Sequence, residues 1–390
     1  MRQALEGSQA IARAVALCRP GVVAAYPITP QTHIVEGISK LVADGVMDCE
    51  LVSVESEFSA ASVALGAAAA GSRAYTASSS QGIMLMSEVL YNIAGLRVPM
   101  VLTCANRAVG APLSIWNDQQ DSMAVRDAGW IQLYCADNQE AVDTTIQAFR
   151  IAEATELPVM VCVDGFVLTH TMEPIDLPDQ DVVDAFLPPY HFARMLDPAR
   201  PISLGTLVDP AWFTEARHSH HHALLKALPV IEQVDRDWQA ATGRAAGGLL
   251  EVIGPADAPT AILCLGSVAS TFTEVLEDHP PDDPVKLIKL RAFRPFPAEA
   301  LRAACIGVKT LIVLERALSP GLGGIVAVEV QAILATVPDA PAVHGFAAGL
   351  GGRDMPVELL PDLLAAARAG RPGEFTIADV QLSKLPEEDR

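Results

Sequence analysis

The 390-residue chain is long enough for two hydrophobic cores, because a single core stops growing at about 250–300 residues. Its formal net charge of −20 and the lack of a basic patch argue against a nucleic-acid or anionic-membrane surface. No stretch reaches the ~20 apolar residues of a membrane span, and the first residues, MRQALEGSQAIARAV, lack the apolar core of a signal peptide. We therefore expect a cytoplasmic protein.

The first half of the chain alternates short apolar runs with helical patterns. The predicted strands are Val22–Tyr26, Leu51–Val54, Ala74–Ala77, Met100–Cys104, Ile131–Cys135 and Val159–Val163. The predicted helices between them are Glu6–Arg19, Thr32–Asp44, Ser56–Ala70, Ile83–Ala94 and Gln139–Thr155. Strands separated by crossover helices are typical of an α/β fold with a doubly wound parallel sheet.

The second half repeats this alternation after an interruption. From about residue 172 to 210 the sequence is acidic and proline-rich, which predicts a wrapping segment. A long amphipathic helix is predicted at Pro210–Thr242. Strands resume at Ala261–Leu265, Lys286–Leu290, Thr310–Leu314 and Ala342–Phe346. We expect a first domain at 1–245 and a smaller α/β domain at 255–390.

The cysteines are scattered singly through the chain, mostly inside apolar runs. They are Cys18, Cys49, Cys104, Cys135, Cys162, Cys264 and Cys305, and no two form a C-x-x-C pair. This pattern predicts reduced thiols in the core. It excludes an iron–sulfur cluster held within this chain by closely spaced cysteines.

Polar residues follow four of the predicted strands, where open α/β sheets place their ligand sites. In the first segment, Tyr26–Pro30, two prolines stiffen a loop that presents the Thr29 hydroxyl. Such a hydroxyl can bind a substrate carboxylate or a cofactor. The structural alternative is a proline-rich turn before the next helix.

The second segment carries two carboxylates, Glu55 and Glu57, at the start of a helix made almost entirely of small residues. Small side chains let this helix lie close to its neighbours. A glutamate in the first turn of a helix also has a plain structural use, because it stabilises the helix dipole.

The third and fourth segments place hydrogen-bonding groups after the next two strands. Ser80 and Gln81 lie in Thr76–Gly82, where serines either cap the following helix or donate to a ligand. Arg107 follows a strand end, and the guanidinium fork suits a carboxylate, although surface arginines are also common. Asn117 lies in the loop Ser114–Asp121 that comes next.

Two further features carry less weight. The run His218–His222 could bind metal, but it lies on a polar helix without a supporting thiol or carboxylate, so we interpret it as a solvated face. Asp164 begins a sequence similar to the motif that anchors magnesium and a diphosphate. No suitable asparagines follow it, and we expect no metal site in this chain.

Taken in order, five segments resemble the first domain of pyruvate:ferredoxin oxidoreductase α subunits: YPITPQTHIVE, VESEFSAAS, TASSSQGIMLMSEVL, ANRAVGAPLSIWNDQQDSM and DAGWIQLY. Three later segments resemble the second domain of that family, a transketolase carboxyl-terminal-like unit: GSVASTFTEVL, VKLIKLRAFRPFP and LIVLERALSPG. The resemblance covers nearly the whole chain. It implies a thiamine diphosphate pyrimidine-binding domain at 1–245 and the smaller unit at 255–390.

In that family the first domain binds the aminopyrimidine half of thiamine diphosphate, and a separate β subunit supplies the magnesium-diphosphate site. The missing metal motif fits this division. The resemblance further implies iron–sulfur clusters on partner chains only, namely γ and δ ferredoxin-like subunits. Coenzyme A is then a co-substrate, and ferredoxin or another low-potential carrier accepts the electrons.

The resemblance also implies roles for individual residues. Glu57 matches the glutamate that hydrogen-bonds the pyrimidine ring nitrogen and so helps to activate the cofactor. Thr29 and Arg107 match the positions that hold the substrate carboxylate. Weaker matches place further residues near the cofactor (Tyr26, Ser80, Gln81) and near the substrate (Asn117).

The implied reaction is oxidative decarboxylation of a 2-oxoacid with coenzyme A to acyl-CoA, CO2 and reduced acceptor. Pyruvate is favoured as substrate. Phe58 and Gln119 stand where many pyruvate-specific relatives carry histidine, which predicts a less polar pocket. Phenylglyoxylate or a branched-chain 2-oxoacid is therefore the alternative.

Two other classes of protein compete with this interpretation. A non-catalytic scaffold subunit would have no need for Glu57, Thr29 and Arg107 at separate strand ends. A stand-alone transketolase or acetolactate-type enzyme would need the magnesium-diphosphate motif that this chain lacks.

Overall fold

The computed structural model describes residues 2–390. Up to residue 164 its elements are β1 (Arg2–Glu6), α1 (Gly7–Leu17), β2 (Val22–Ala25), α2 (Thr32–Ala43), β3 (Glu50–Ser53), α3 (Glu57–Ala69), β4 (Ala74–Ser78), α4 (Gln81–Leu85), α5 (Ser87–Leu96), β5 (Val101–Asn106), α6 (Gln120–Ala124), β6 (Ile131–Tyr134), α7 (Asn138–Thr155) and β7 (Val159–Asp164). The predicted strands of this half are all present. The single helix predicted at Ile83–Ala94 is instead two helices, divided at the fully buried Met86.

The middle of the chain holds β8 (Met172–Asp176), α8 (Gln180–Phe186) and α9 (Pro210–Thr242). The segment expected to wrap the domain thus contains a strand, β8, which pairs antiparallel with β1. The bounds of α9 are as predicted. Asp209 caps its amino terminus by accepting a hydrogen bond from the Ala211 amide at 3.0 Å, and Gly243, at φ 78°, ends it.

The last part of the chain contains β9 (Leu250–Ile253), β10 (Thr260–Cys264), α10 (Ser267–Asp278), β11 (Val285–Leu290), β12 (Ala292–Arg294), α11 (Ala298–Ala304), β13 (Thr310–Glu315), α12 (Val326–Leu334), β14 (Ala342–Ala347), α13 (Leu359–Ala369) and β15 (Phe375–Ile377). A sheet with the order β15-β14-β13-β10-β11-β9 forms here, parallel except for β9. The strand β9 precedes residue 255, where the second domain was expected to begin.

The larger sheet has the order β12-β6-β7-β5-β4-β2-β3 and is parallel except at β12. Both of its faces are covered. Val101 and Leu102 are neighbours on β5, yet the first belongs to the apolar cluster that includes α1 and α7, and the second to the cluster that includes α3 and α5. Because successive strand residues point to opposite faces, this confirms the doubly wound α/β fold.

The two sheets share one apolar cluster. It runs from α3 and α5 into β10, β13 and α12 without a break. At the junction the fully buried Arg291 donates hydrogen bonds to Gln147 Oε1 at 2.8 Å and Thr144 Oγ1 at 3.1 Å. The division into domains at 1–245 and 255–390 therefore stays a prediction about units that are packed tightly together.

All seven cysteines are free thiols. Six of them are buried, and Cys49 is half-buried. This confirms the expectation of reduced thiols in the core. Among residues 2–390, no helix combines the length and the apolar character needed to cross a membrane.

Candidate active site

The carboxyl ends of β5, β4, β2 and β3 lie side by side in the larger sheet. These are the strands that precede the four polar segments singled out in the sequence. Since parallel strands end at the same edge, the topology brings the four segments to one place.

Glu57 lies at the first position of α3 and is 7% exposed. Its carboxylate makes no hydrogen bond or ion pair with any residue from 2 to 390. The helix cap is supplied by Ser56, whose Oγ accepts from the Ser59 amide at 3.2 Å. Glu55 is exposed and accepts a hydrogen bond from the Ser59 hydroxyl. Of the two carboxylates, only Glu57 is therefore buried and available for a ligand.

Gly82 makes room beside this carboxylate. A Cβ at residue 82 would lie 2.8 Å from Glu57 Oε1 and 2.3 Å from Ser78 Oγ, distances that real Cβ contacts do not show. The Ser78 and Ser79 hydroxyls are buried and have no hydrogen-bond partner within residues 2–390. Buried polar groups are normally paired. The Glu57 carboxylate and the two hydroxyls can therefore form hydrogen bonds with a bound molecule.

Arg107 is 7% exposed and holds two loops together. Its Nη1 donates to the Thr29 carbonyl at 2.8 Å, and its Nε donates to the Ser114 carbonyl at 3.1 Å. Burial lowers the pKa of this guanidinium, and the Asp121 charge opposes that shift. No carboxylate between residues 2 and 390 forms an ion pair with it. A buried guanidinium that makes no direct ion pair favours an anionic ligand.

Thr29 is exposed, and its hydroxyl makes no hydrogen bond in the described residues, 2–390. Asn117 is 1% exposed, and neither its Oδ1 nor its Nδ2 has a partner there. Both residues were predicted to bind substrate. Their unpaired polar groups are compatible with that role, which stays a prediction.

Ser80 does not cap the following helix, and its amide and hydroxyl bond within the chain. It has φ +49°, and its amide donates to Asp121 Oδ2 at 2.8 Å. Its hydroxyl donates to the Ala108 carbonyl at 2.5 Å and also contacts Gln81 Oε1. It makes no capping hydrogen bond. Because the Ser80 hydroxyl is hydrogen-bonded, the unpaired hydroxyls of this segment are those of Ser78 and Ser79. Cofactor binding by Ser80 and Gln81 stays a prediction.

Asp121 connects the segments, and the sequence did not single it out by itself. Its fully buried carboxylate accepts hydrogen bonds from the Ser80 amide at 2.8 Å, the Arg107 amide at 3.0 Å, Asn106 Nδ2 at 2.7 Å and the Ser122 amide at 2.8 Å. Burial raises the pKa of Asp121, and these bonds counteract the rise. The only sequence signal was its place in the polar loop after Arg107.

Asp164, the residue that begins the incomplete metal motif, bonds to the second half of the chain. Its Oδ2 accepts from the Ser267 amide at 2.9 Å and the Ser267 hydroxyl at 2.5 Å, and lies 3.4 Å from Arg316 Nη1. Gln119 Nε2 donates to Oδ1 at 3.2 Å. These contacts account for both carboxylate oxygens and give the residue a structural role between the two sheets.

The histidine run is only partly a solvated face. His218, His221 and His222 are exposed, as predicted, but His220 is buried and lies 3.1 Å from the Gly129 carbonyl through Nε2. The prediction was wrong for His220, because one residue of this face of α9 packs onto the turn before β6. Burial lowers the pKa of this imidazole.

Large apolar side chains are exposed on or next to the elements that carry the site. They follow β2 or lie on α3, α4 and α5, and their exposures are 38% for Tyr26, 38% for Phe58, 52% for Leu85 and 45% for Tyr91. We refer to these four residues as the apolar rim. Tyr26 was predicted to lie near the cofactor, and its exposure leaves it accessible from outside the chain.

Comparison with known proteins identifies the family of the chain. The family described as pyruvate flavodoxin/ferredoxin oxidoreductase, thiamine diphosphate-binding, matches residues 13–236. The chain belongs to this family. The pyruvate:ferredoxin oxidoreductase core domain II matches residues 258–360. The resemblance found in the sequence is confirmed for both halves.

Relatives of this oxidoreductase family member span almost its full length. It is 42% identical to pyruvate synthase subunit PorA of Methanosarcina barkeri, over 98% of this chain and 96% of that protein. It is 45% identical to the PorA subunit of Methanothermobacter thermautotrophicus, over 90% and 91%. It is 39% identical to ketoisovalerate oxidoreductase subunit VorA of Pyrococcus abyssi, over 92% and 91%.

Two solved structures support the fold. A 2-oxoglutarate:ferredoxin oxidoreductase from Magnetococcus marinus aligns with a TM-score of 0.70 at 18% identity, covering 94% of this chain and 65% of that one. A split-gene transketolase aligns with a TM-score of 0.55 at 12% identity, covering 94% and 98%. At these identities the likeness shows the fold alone, and it confirms the expected architecture.

Proposed function

We propose that this chain is the α-type subunit of a thiamine diphosphate-dependent 2-oxoacid:ferredoxin oxidoreductase, with pyruvate as its substrate. One observation carries the proposal. At a single sheet edge, residues 2–390 hold a buried carboxylate that accepts no hydrogen bond, Glu57, and a buried guanidinium that forms no ion pair, Arg107. The carboxylate suits the hydrogen-bonding ring of a cofactor, and the guanidinium suits an anionic substrate bound beside that ring.

Glu57 would hold the pyrimidine half of the cofactor. A carboxyl group packed against Gly82 and the small residues of α3 can hydrogen-bond a ring nitrogen in a space that excludes water. Bound thiamine diphosphate supplies the nucleophile and the electron sink that decarboxylation requires. The unpaired Ser78 and Ser79 hydroxyls are further groups that the pyrimidine amine could contact.

Arg107 would hold and orient the substrate carboxylate. Its Nε and Nη1 are fixed by carbonyl oxygens, which leaves Nη2 as the nitrogen that donates to substrate. The Thr29 hydroxyl and the Asn117 amide are free to add hydrogen bonds. Fixing the carboxylate sets the direction of the bond that breaks, and orientation of this kind contributes strongly to rate.

The cofactor's diphosphate and magnesium would be held by a β subunit. Asp164, the candidate anchor in this chain, is occupied by Ser267, Arg316 and Gln119. The apolar rim is exposed and would be covered by that subunit. Iron–sulfur clusters would belong to γ and δ ferredoxin-like subunits, coenzyme A would accept the acyl group, and ferredoxin would accept the electrons.

A branched-chain 2-oxoacid is the second candidate substrate. The VorA relative from Pyrococcus abyssi is named a ketoisovalerate oxidoreductase subunit, and Phe58 places an apolar side chain next to Glu57 in α3. Phe58 and Gln119 both stand where many pyruvate-specific relatives carry histidine. Because the Gln119 amide already donates to Asp164, Phe58 is the stronger argument for a less polar substrate pocket. Pyruvate stays favoured, since several relatives with higher identity are named pyruvate synthase subunits.

The test uses the complex purified with its native partners. Reduction of ferredoxin should depend on coenzyme A and on a 2-oxoacid, with pyruvate preferred over 2-oxoisovalerate. Glu57→Gln should lower turnover by about 100-fold or more, the scale of an acid–base group, while the complex stays assembled on gel filtration. Glu55→Gln is the matched control and should keep full activity. Normal turnover in Glu57→Gln would exclude the assigned role.

A further inference from the structure

Three potential metal ligands meet at a place that the proposed reaction does not use. Glu6, His33 and His170 each offer one ligand atom, and these atoms all lie within 4.8 Å of one another. Glu6 ends β1, His33 lies in the first turn of α2, and His170 lies in the turns after β7. The sequence analysis predicted no metal site in this chain and did not consider these three residues together, which are far apart along it.

The His33 side chain contacts the other two. Glu6 Oε1 lies 2.7 Å from His33 Nδ1. The His33 and His170 rings are 4.5 Å apart between centroids and are tilted by 33°. The bond between Glu6 and His33 fixes two members of the cluster, and the Phe166 ring, 4.6 Å from the His170 ring between centroids, packs against the third.

A buried hydroxyl fixes the second imidazole. Thr169 Oγ1 accepts from the Phe166 amide at 2.8 Å and lies 2.8 Å from His170 Nδ1. An oxygen bonded to one ring nitrogen of histidine is the usual support for a metal ligand, because it leaves the other nitrogen to coordinate.

We propose that Glu6, His33 and His170 form a binding site for a borderline divalent cation, zinc foremost. Two imidazoles and one carboxylate are a donor set typical of zinc, whereas magnesium and calcium prefer oxygen ligands alone. Atoms bound to one tetrahedral zinc at about 2.0–2.2 Å lie roughly 3.4 Å apart, so modest side-chain rotation closes the cluster. All three residues are half-buried, which leaves solvent access for the ion and for a bound water.

The ion would tie together three segments below the loop that carries Thr29. Helix α2 starts directly after this loop. The segment that contains His170 begins at Gly165, and a Cβ at residue 165 would lie only 2.6 Å from Pro30 Cγ in the loop. Binding would therefore stabilise the base of the loop. The role is structural and is independent of the proposed reaction.

The test is cobalt(II) titration of the full-length chain after treatment with a chelator. Tetrahedral or five-coordinate cobalt gives strong visible absorption, which reports the ligand set directly. We expect saturation at one equivalent, and an apparent dissociation constant at least about tenfold weaker in His170→Gln and in Glu6→Gln. The control is His218→Gln with His222→Gln, which removes the exposed pair on α9 whose rings are 6.0 Å apart. The control should titrate like the unmodified chain.

Thermal unfolding provides the second measurement. Zinc should raise the melting temperature of the unmodified chain and of the α9 control, but not that of His170→Gln or Glu6→Gln. With chelator present, a variant that has the same melting temperature as the unmodified chain is folded, and its cobalt titration is then valid. One folded variant of the two is enough for the test. Unchanged cobalt affinity in a folded His170→Gln or Glu6→Gln, or loss of the absorption in the α9 control instead, would overturn the proposal.

Discussion

Arg107 donates from Nη1 to the Thr29 carbonyl at 2.8 Å, which joins the end of β5 to the loop after β2 across the intervening strand β4. Its Nε binds the Ser114 carbonyl in the following loop. One side chain thus positions both loops and still has a nitrogen without a hydrogen bond among residues 2–390. Changes at this residue should affect substrate binding more than folding.

Arg107→Lys keeps the positive charge but cannot reach both carbonyl oxygens and a substrate at once. Loss of one charge-assisted hydrogen bond costs about 1.5–3 kcal/mol, which corresponds to roughly 10- to 150-fold in kcat/KM. We expect the KM for pyruvate to rise and kcat to fall in steady-state assays of the complex. Arg217→Lys, at an exposed position on α9, serves as control. Equal kinetics in the two variants would show that Arg107 has only a structural role.

Gly82→Ala should displace Glu57 without removing it. The added methyl group would lie 2.8 Å from Glu57 Oε1 and 2.3 Å from Ser78 Oγ, and overpacking of this kind costs about 1–3 kcal/mol. We expect activity to fall and added thiamine diphosphate to restore only part of it. Gly95→Ala in α5 has no atom within 4 Å of its new Cβ. It should keep activity and gain about 0.5–1 kcal/mol of stability.

Asp121→Ala should destabilise the protein more than any exposed acidic substitution. It leaves the donors of Ser80, Asn106, Arg107 and Ser122 without their common acceptor. Unpaired buried donors cost about 1–3 kcal/mol each, so we expect a total loss of at least about 3 kcal/mol, or roughly 4 °C in melting temperature for a chain of this length. Calorimetry is the measurement. Asp127→Ala, whose side chain is 69% exposed, should change the melting temperature little.

Asp118 should give the stability a specific pH dependence. Burial raises the pKa of Asp118 to about 6, and the charge of Asp121 adds to the rise. An aspartate in the unfolded chain titrates near about 3.9, so the native protein binds more protons between about pH 4 and pH 6. The free energy of unfolding should therefore fall as the pH rises through this window, and the contribution should be absent above it.

Asp118→Asn isolates this contribution. The melting temperature of the unmodified protein relative to that of the variant should decrease from pH 4 to pH 6 and then stay constant. Asp282→Asn, at an exposed position, should follow the unmodified protein at every pH. Parallel curves for Asp118→Asn and the unmodified protein would contradict the raised pKa.

Local sequence was enough to predict much of the fold. The bounds of α9 were predictable because Pro210 starts the helix and Gly243 ends it, both of which are local signals. The strand β12 was not predictable. It has three residues, and its hydrogen bonds go to β6, about 160 positions earlier in the chain. Only tertiary packing determines such a pairing.

The candidate site shows the same limit. Glu57, Arg107 and Thr29 were candidates because each follows a strand, and the resemblance to the oxidoreductase family implied their roles. Asp121 could not be distinguished from Asp118 in the same loop, since its importance comes from donors on β5, α6 and the segment before α4. For Asp164, the sequence identified the residue but not its partners Ser267 and Arg316, which approach only when the two sheets pack together.

The pairing of β12 with β6 has a practical consequence for dissecting the protein. A protein expressed as residues 1–245 alone would lack β12. The backbone N–H and C=O groups of β6 that normally pair with β12 would then be unpaired, and such an edge promotes self-association. The excised piece would also expose the apolar surface that normally contacts β10 and β13. A fragment of the first half should therefore keep residues 292–294, or carry another strand that pairs with β6.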